Sequence, residues 1–179
     1  SHKGEEELFL DCFDKLEKKI KNLFFVIIPR HLDRIDNIVE IFNKKGRAFN
    51  YRDNLESNII DNNPLIVNSM GELGLFFKLS EIAVVGGSFS NRGGHNPIET
   101  QSFNCSVIFG PHMENFKEIK DLIVKNNAGF EVSNLNGLIK KINVILKNKK
   151  LNERTYKNFK KLCFSFSIKS RNQLKFLLK

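Results

Sequence analysis

The stretch Val84-Val85-Gly86-Gly87-Ser88-Phe89-Ser90-Asn91-Arg92-Gly93-Gly94-His95-Asn96-Pro97-Ile98-Glu99 runs from a short apolar strand through four glycines into a Pro-led helix. Without Cβ atoms, Gly86, Gly87, Gly93 and Gly94 can take positive φ and leave N–H groups open to an anion, and Pro97 suits the first turn of a helix. The free amides and dipole of that helix, expected over 96–103, would add to a phosphate site. Glu99 lies one turn in, unsuited to a phosphate but placed to accept hydrogen bonds from sugar hydroxyls. The stretch therefore reads as a phosphate and ribose site.

Outward from it, the pattern alternates between helix and strand. Leu8, Cys12, Leu16 and Ile20 recur every four residues and predict a helix over 5–21. The apolar run 23–28, ended by Pro29, predicts a strand buried on both faces. Further helices are expected over 32–45, 71–79, 114–125 and 138–146, with strands over 48–51, 65–67, 82–85, 106–109 and 129–132. The polar, Asn-rich stretch 52–63 reads as a surface loop. Short connections between alternating elements make the class α/β, a doubly wound, Rossmann-like parallel sheet. Because the chain opens on a polar loop leading straight into a helix, a further strand, and with it a whole domain, is expected upstream.

The 179 residues, 41% of them hydrophobic and seventeen of them Phe, suit one domain with a substantial core. No apolar run approaches the roughly 20 residues that cross a bilayer, and the acidic start is unlike a signal peptide, so the chain reads as soluble. Cys12, Cys105 and Cys163 lie far apart without a CxxC pair, which suggests buried thiols rather than a disulfide framework or zinc knuckle. The net charge of +9 is concentrated at one end, where residues 138–179 hold thirteen Lys and Arg against the single acid Glu153. No nucleic-acid-binding module accompanies that charge, so nucleic acid is not expected as a partner. Attraction to an anionic membrane surface and a solvated helical face both remain open for this segment.

Ligands of parallel α/β sheets bind beyond the carboxyl ends of the strands. All four histidines, His2, His31, His95 and His112, fall in such positions. Each comes from a different loop without a carboxylate pair, so neither a metal nor another cofactor is expected. Arg30 is the better candidate for direct phosphate contact, its guanidinium fork matching an anion bidentately, with a surface salt bridge as the alternative. Met70-Gly71-Glu72 opens a helix on the same edge, either facing the ligand or simply starting the helix. Ser88 reads as a phosphate donor or a turn cap, and Asn96 as a ligand contact or an ordinary helix entry. The glycine spacing is not GxGxxG and the acid some twenty residues on is missing, which disfavours a nicotinamide dinucleotide.

Taken in order, Ser1-His2-Lys3-Gly4-Glu5-Glu6-Glu7, Pro29-Arg30-His31, Met70-Gly71-Glu72-Leu73, Gly86-Gly87-Ser88, Gly93-Gly94-His95-Asn96-Pro97-Ile98-Glu99 and Phe109-Gly110-Pro111-His112 with Asn115-Phe116 resemble the 3-deoxy-D-manno-octulosonic acid (Kdo) transferases of lipopolysaccharide assembly. The likeness covers 1–146 and is loose over the lysine-rich end. The stretches between Ser88 and Gly93 and at Thr100-Gln101-Ser102 are more polar than is usual in the family.

The resemblance implies the C-terminal half of a GT-B glycosyltransferase, with 1–146 as the CMP-Kdo binding domain and 147–179 as basic helices packing on it or toward the other half. It implies inverting, metal-free transfer of Kdo to a lipid A precursor at the cytoplasmic face of the inner membrane of a Gram-negative bacterium. The general base would lie in the other half, so the isolated chain is expected to bind donor without transferring it. The implied donor-site residues are Ser1, His2, Arg30, His31, Met70, Gly71, Glu72, Gly87, Ser88, Gly93, Gly94, His95, Asn96 and Glu99. Among them, Arg30, the Ser88 hydroxyl and the amides from Gly93 to Asn96 would hold the phosphate, His2 and His95 would add hydrogen bonds or a proton, Glu99 would hold the ribose, and the Met70 loop would border the cytosine. The alternatives are a GT-B donor domain for another nucleotide sugar such as a UDP-hexosamine, and a non-catalytic nucleotide-binding or membrane-docking module.

Overall fold

The computed structural model describes residues 1–52, 62–100 and 103–177, with backbone alone from 167 onward. Helix α1, Glu5–Glu17, starts after Gly4, whose φ of 92° turns the chain into the helix, and its first-turn acids Glu5, Glu6 and Glu7 suit the positive end of the dipole. It is followed by β1, Val26–Ile27, then α2, Ile35–Lys44, then β2, Asn50–Tyr51, and β3, Leu65–Ile66. Next come α3, Leu73–Leu79, β4, Ile82–Val84, β5, Ser106–Phe109, α4, Lys117–Lys125, and β6, Phe130–Glu131. Helices α5, Leu135–Lys147, and α6, Lys149–Leu177, close the chain. Most of the loop expected over 52–63 lies outside the described residues.

The strands are parallel and form two three-stranded sheets, ordered β1-β3-β2 and β4-β5-β6. In the first, Ile66 of β3 faces both Ile27 and Tyr51. In the second, Ile108 of β5 faces both Val84 and Phe130. The single sheet expected from sequence is thus divided, and no ladder joins the halves among the described residues. Helix α1 spans both instead, with Leu10 and Phe13 packed against Ile27 and Ile66, and Cys12 and Leu16 in the cluster around Ile108.

The central strands β3 and β5 are covered on both faces, which is why they read as nearly continuous apolar runs rather than alternating ones. Along β5, Val107 and Phe109 point to Ile123 of α4 and Phe159 and Cys163 of α6, while Ile108 points to α1 and α5. Along β3, Ile66 faces α1 and α2, while Leu65 packs with Val67 and Phe76 of α3. The basic end is one long helix rather than several, and its Phe159 and Cys163 sit in the core. Its exposed cations are therefore carried on an element anchored to β5.

Two expected helices begin as 3-10 turns, at Leu32–Arg34 and Glu114–Phe116. The helix expected over 96–103 is replaced by a 3-10 turn at Pro97–Thr100, with 101–102 outside the described residues. Asn96 accepts from the Ile98 amide at 3.0 Å and Thr100 Oγ1 donates to the Pro97 carbonyl at 3.0 Å. These side-chain bonds hold a tight turn locally, in competition with an α-helical pattern.

Candidate functional site

The glycine loop after β4 is built by two backbones crossing at close range. Gly94 N donates to Gly87 O at 3.0 Å, and His95 N to Gly86 O at 2.9 Å. Gly87 at φ 74° and Gly94 at φ 75° occupy the left-handed region. A Cβ on Gly87 would stand 3.4 Å from Gly94 Cα, and one on Gly94 would collide with the Met113 sulfur. A second loop, after β5, clamps the first: His112 N donates to Ser88 O at 2.9 Å, Asn115 N to Gly93 O at 3.1 Å, and Asn115 Nδ2 to Arg92 O at 3.1 Å.

This geometry corrects two expectations drawn from sequence. The amides of Gly87 and Gly94 are engaged inside the protein instead of facing an anion, because the glycines serve the crossing of the two backbones. Ser88 is wholly buried; its hydroxyl donates to Val85 O at 2.5 Å and accepts from Gly110 N at 2.8 Å. It ties the end of β4 to that of β5 and has no bond left for a phosphate. Of the four amides from Gly93 to Asn96, those of Gly93 and Asn96 have no acceptor among the described residues, whereas those of Gly94 and His95 are taken by Gly87 O and Gly86 O.

The acceptor for Gly87 is Glu5, a residue that the sequence reading did not single out. Glu5 is 1% exposed. Its Oε2 accepts from Gly87 N at 2.7 Å and His2 N at 2.9 Å, and its Oε1 accepts from Phe89 N at 2.9 Å. Glu6 beside it is also buried and is met by Arg34 at 2.8 Å. An acid at the start of a helix is ordinarily an exposed dipole partner, so only a tertiary contact 82 residues away distinguishes Glu5 from Glu7.

Ser1 and His2 lie against this loop. Ser1 N donates to Ile28 O at 3.1 Å, past the end of β1, and a Cβ on Gly86 would stand 2.9 Å from Ser1 N. The rings of His2 and His95 stack with centroids 4.7 Å apart and planes 26° apart. His95 is lowered to about 4, by burial first and by the neighbouring positive charges of His2, Arg30 and His31 as well. His2 is also lowered, first by burial. A neutral His95 at pH 7 can form hydrogen bonds but carries no charge for a phosphate.

Arg30 and His31 follow β1 and are exposed, close enough for their charges to bear on His95. Arg34, Arg47 and Arg52 each pair with a carboxylate, whereas Arg30 and the loop residue Arg92 pair with none among the described residues. The salt bridge left open for Arg30 is thus not formed among the described residues. Past β3, Met70 is 71% exposed, Gly71 takes φ 85°, and Glu72 is bound by Arg52 at 2.9 Å and by the Ser69 hydroxyl. The Ser69 bond is the first cause of a lowered Glu72 pKa, with Arg52 adding to it. Glu99 is exposed on its 3-10 turn, and Asn96 is half-buried with its side chain turned back to its own turn. His112 stands 3.3 Å from Glu114. Among the described residues no three His, Cys, Asp or Glu side chains gather as metal ligands.

The carboxyl edge therefore brings together unpaired Arg30, His31 and Arg92, a neutral His95, the open amides of Gly93 and Asn96, and a free carboxylate at Glu99. No family model matches the chain. It is 35% identical over 153 residues to the 3-deoxy-D-manno-octulosonic acid transferase of Aquifex aeolicus, covering 83% of this chain and 41% of the relative. It is also 35% identical over 155 residues to the transferase of the same name from Haemophilus influenzae, covering 86% of this chain and 36% of the relative. Among solved structures it superposes on the C-terminal CMP-Kdo binding domain of WaaA from Acinetobacter baumannii with a TM-score of 0.84 and 26% identity, covering 91% of this chain and 85% of that one.

The chain is a homologue of the Kdo transferases.

It spans about two fifths of the length of the curated Kdo transferases it matches. Its fold is that of the C-terminal domain of these GT-B glycosyltransferases. No helix among the described residues is long and apolar enough to cross a membrane.

Proposed function

We propose that this chain is the donor-binding domain of a Kdo-transferring glycosyltransferase and takes CMP-Kdo at the carboxyl edge of its sheets. The observation that carries the reading is the unpaired Arg30 beside the glycine loop, in a fold that superposes on a CMP-Kdo binding domain at a TM-score of 0.84. Arg30 would meet the single phosphate of the donor bidentately, with the open amides of Gly93 and Asn96 as its companions. As the bond to the sugar breaks, negative charge grows on that phosphate, and donors already fixed in place stabilise it without reorganising. Glu99 would accept from the ribose hydroxyls. The Met70-Gly71-Glu72 turn, with Glu72 held by Arg52, would border the cytosine.

Transfer also needs a base to deprotonate the acceptor hydroxyl, and that group would belong to the part of the enzyme outside this chain. The acceptor in this reading is the lipid A precursor at the cytoplasmic face of the inner membrane, with the basic face of α6 near anionic lipid. The isolated chain then binds donor and transfers nothing.

Calorimetric titration with CMP and UDP, using UMP and AMP as controls and an Arg30→Ala, Glu99→Ala double variant, tests the reading. Binding of CMP alone, lost in the variant, is expected. Equal binding of all three nucleotides, or of none, would overturn it, and tighter binding of UDP than of CMP would favour a UDP-sugar donor.

A further inference from the structure

Among the described residues, the Glu5 carboxylate is the one charged group that bonds both the His2 turn and the Gly87–Phe89 turn. Oε2 holds His2 N and Gly87 N, and Oε1 holds Phe89 N, at 2.7 to 2.9 Å. Glu5 N in turn donates to His2 O at 3.0 Å, so the turn carrying His2 is tied to Glu5 in both directions. The two segments that Glu5 joins also meet directly, since a Cβ on Gly87 would stand 3.1 Å from the His2 ring, which stacks on His95. A carboxylate has two acceptor oxygens and no donor, the complement that converging N–H groups require.

We propose that Glu5 is a positioning residue of the donor site: its buried carboxylate serves as an internal anion that fixes the Gly86–Phe89 turn and the His2 turn, and through them sets the stack of His2 on His95 and the place of the Gly93–Asn96 amides. The part of this inference that concerns ligand affinity rests on the donor-binding reading. The part that concerns the loop stands on the hydrogen bonds. Glu5 takes the Gly87 and Phe89 amides that sequence reasoning would have offered to phosphate, which leaves the ligand to the second half of the loop and to Arg30.

Glu5→Gln keeps shape and volume but replaces one oxygen with an NH2 group, which would confront an N–H with another N–H. Glu6→Gln is the matched control, since Glu6 is equally buried and charged but meets Arg34 rather than the loop. Two measurements on the 179-residue chain are needed: amide hydrogen exchange by NMR, and calorimetric titration with CMP. In the wild type, Gly87 and Phe89 should exchange at least tenfold more slowly than Gly93, whose amide has no acceptor. Glu5→Gln should accelerate Gly87 and Phe89 at least tenfold while the core amides of β5 keep their protection, and should raise the CMP Kd at least tenfold. Glu6→Gln should lower Tm but leave the CMP Kd within twofold.

Equal exchange of Gly87, Phe89 and Gly93 in the wild type would overturn the inference, and this comparison holds even if Glu5→Gln fails to fold. Unchanged CMP affinity in a folded Glu5→Gln protein would also overturn it. If the wild type binds no CMP, the donor reading fails by itself, and the exchange rates of Gly87 and Phe89 decide whether Glu5 holds the loop.

Discussion

The carboxyl ends of the two sheets are built in opposite ways. Beyond β4 and β5, the turns are tied to one another internally: Ser88 joins Val85 to Gly110, Glu5 takes Gly87 and Phe89, and Asn115 holds Gly93 and Arg92 through their carbonyls, which leaves the Arg92 side chain and the amides of Gly93 and Asn96 without a partner among the described residues. Beyond β1, Arg30 and His31 stand exposed without a carboxylate partner among the described residues. One wall is prebuilt and the other keeps its charge for a ligand. The difference separates residues that shape the site from residues that contact what enters it, and sequence motifs do not make that separation, since both kinds occur in them.

If that contrast is right, damage to the prebuilt wall should appear as lost stability, and Gly110→Ala should show it most. Its Cβ would collide with the Ser88 carbonyl, a backbone atom with no rotamer to change. The expected cost is about 2–3 kcal/mol, a fall in Tm of roughly 5–10 °C in thermal unfolding. Ser88→Ala comes next. It strands the buried Gly110 N–H and removes the donor to Val85 O, for about 1–3 kcal/mol by urea titration. A Tm unchanged in both variants would mean that the loop is not held as described.

The histidine stack gives a smaller, pH-dependent effect. The folded-state pKa of His95 is depressed to about 4, below the usual 6.5, by burial first and neighbouring positive charge second. Folding therefore favours the neutral ring. The stability it contributes is present above pH 6.5 and is lost as pH falls from there through about 4. Tm measured from pH 7.5 to 4 should fall less in His95→Gln than in the wild type, and equal slopes would contradict the assignment. The smallest effect on stability belongs to the open wall. Arg30→Ala should change unfolding free energy by no more than about 0.5 kcal/mol, yet weaken CMP roughly tenfold to a hundredfold in calorimetry. A large loss of stability in Arg30→Ala would erase the contrast between the walls.

Much of the fold was legible because it rests on local pattern. The spacing of Leu8, Cys12 and Leu16 marked α1, and the run Ser106–Phe109 gave β5 with its bounds, since a strand buried on both faces is mostly apolar and its one polar side chain, Ser106, is satisfied by Asn152. The turn at Pro97–Thr100 was misread as a longer helix because Pro97 announces a helical start without saying how far it runs, and the Asn96 side chain satisfies the Ile98 amide locally. The division of the sheet was invisible because it depends on which strands pair, a tertiary matter. The placement of Arg30, His95 and Glu99 at the carboxyl edge was readable from residue type and loop position. Ser88 and Gly87 were misjudged because a hydroxyl or a glycine at a strand end looks the same whether it serves a ligand or a neighbouring loop. Glu5 was missed because it sits among three consecutive acids, and only burial tells them apart.

The most direct measurement is a two-dimensional 15N NMR titration of the 179-residue chain with CMP. The account predicts shifts concentrated at Arg30, His31, Gly93 to Asn96 and Glu99, with smaller ones at Met70 to Glu72 and little change in α6. Shifts confined to the basic face of α6, or spread evenly over the chain, would contradict a cytidine-nucleotide site at the carboxyl edge.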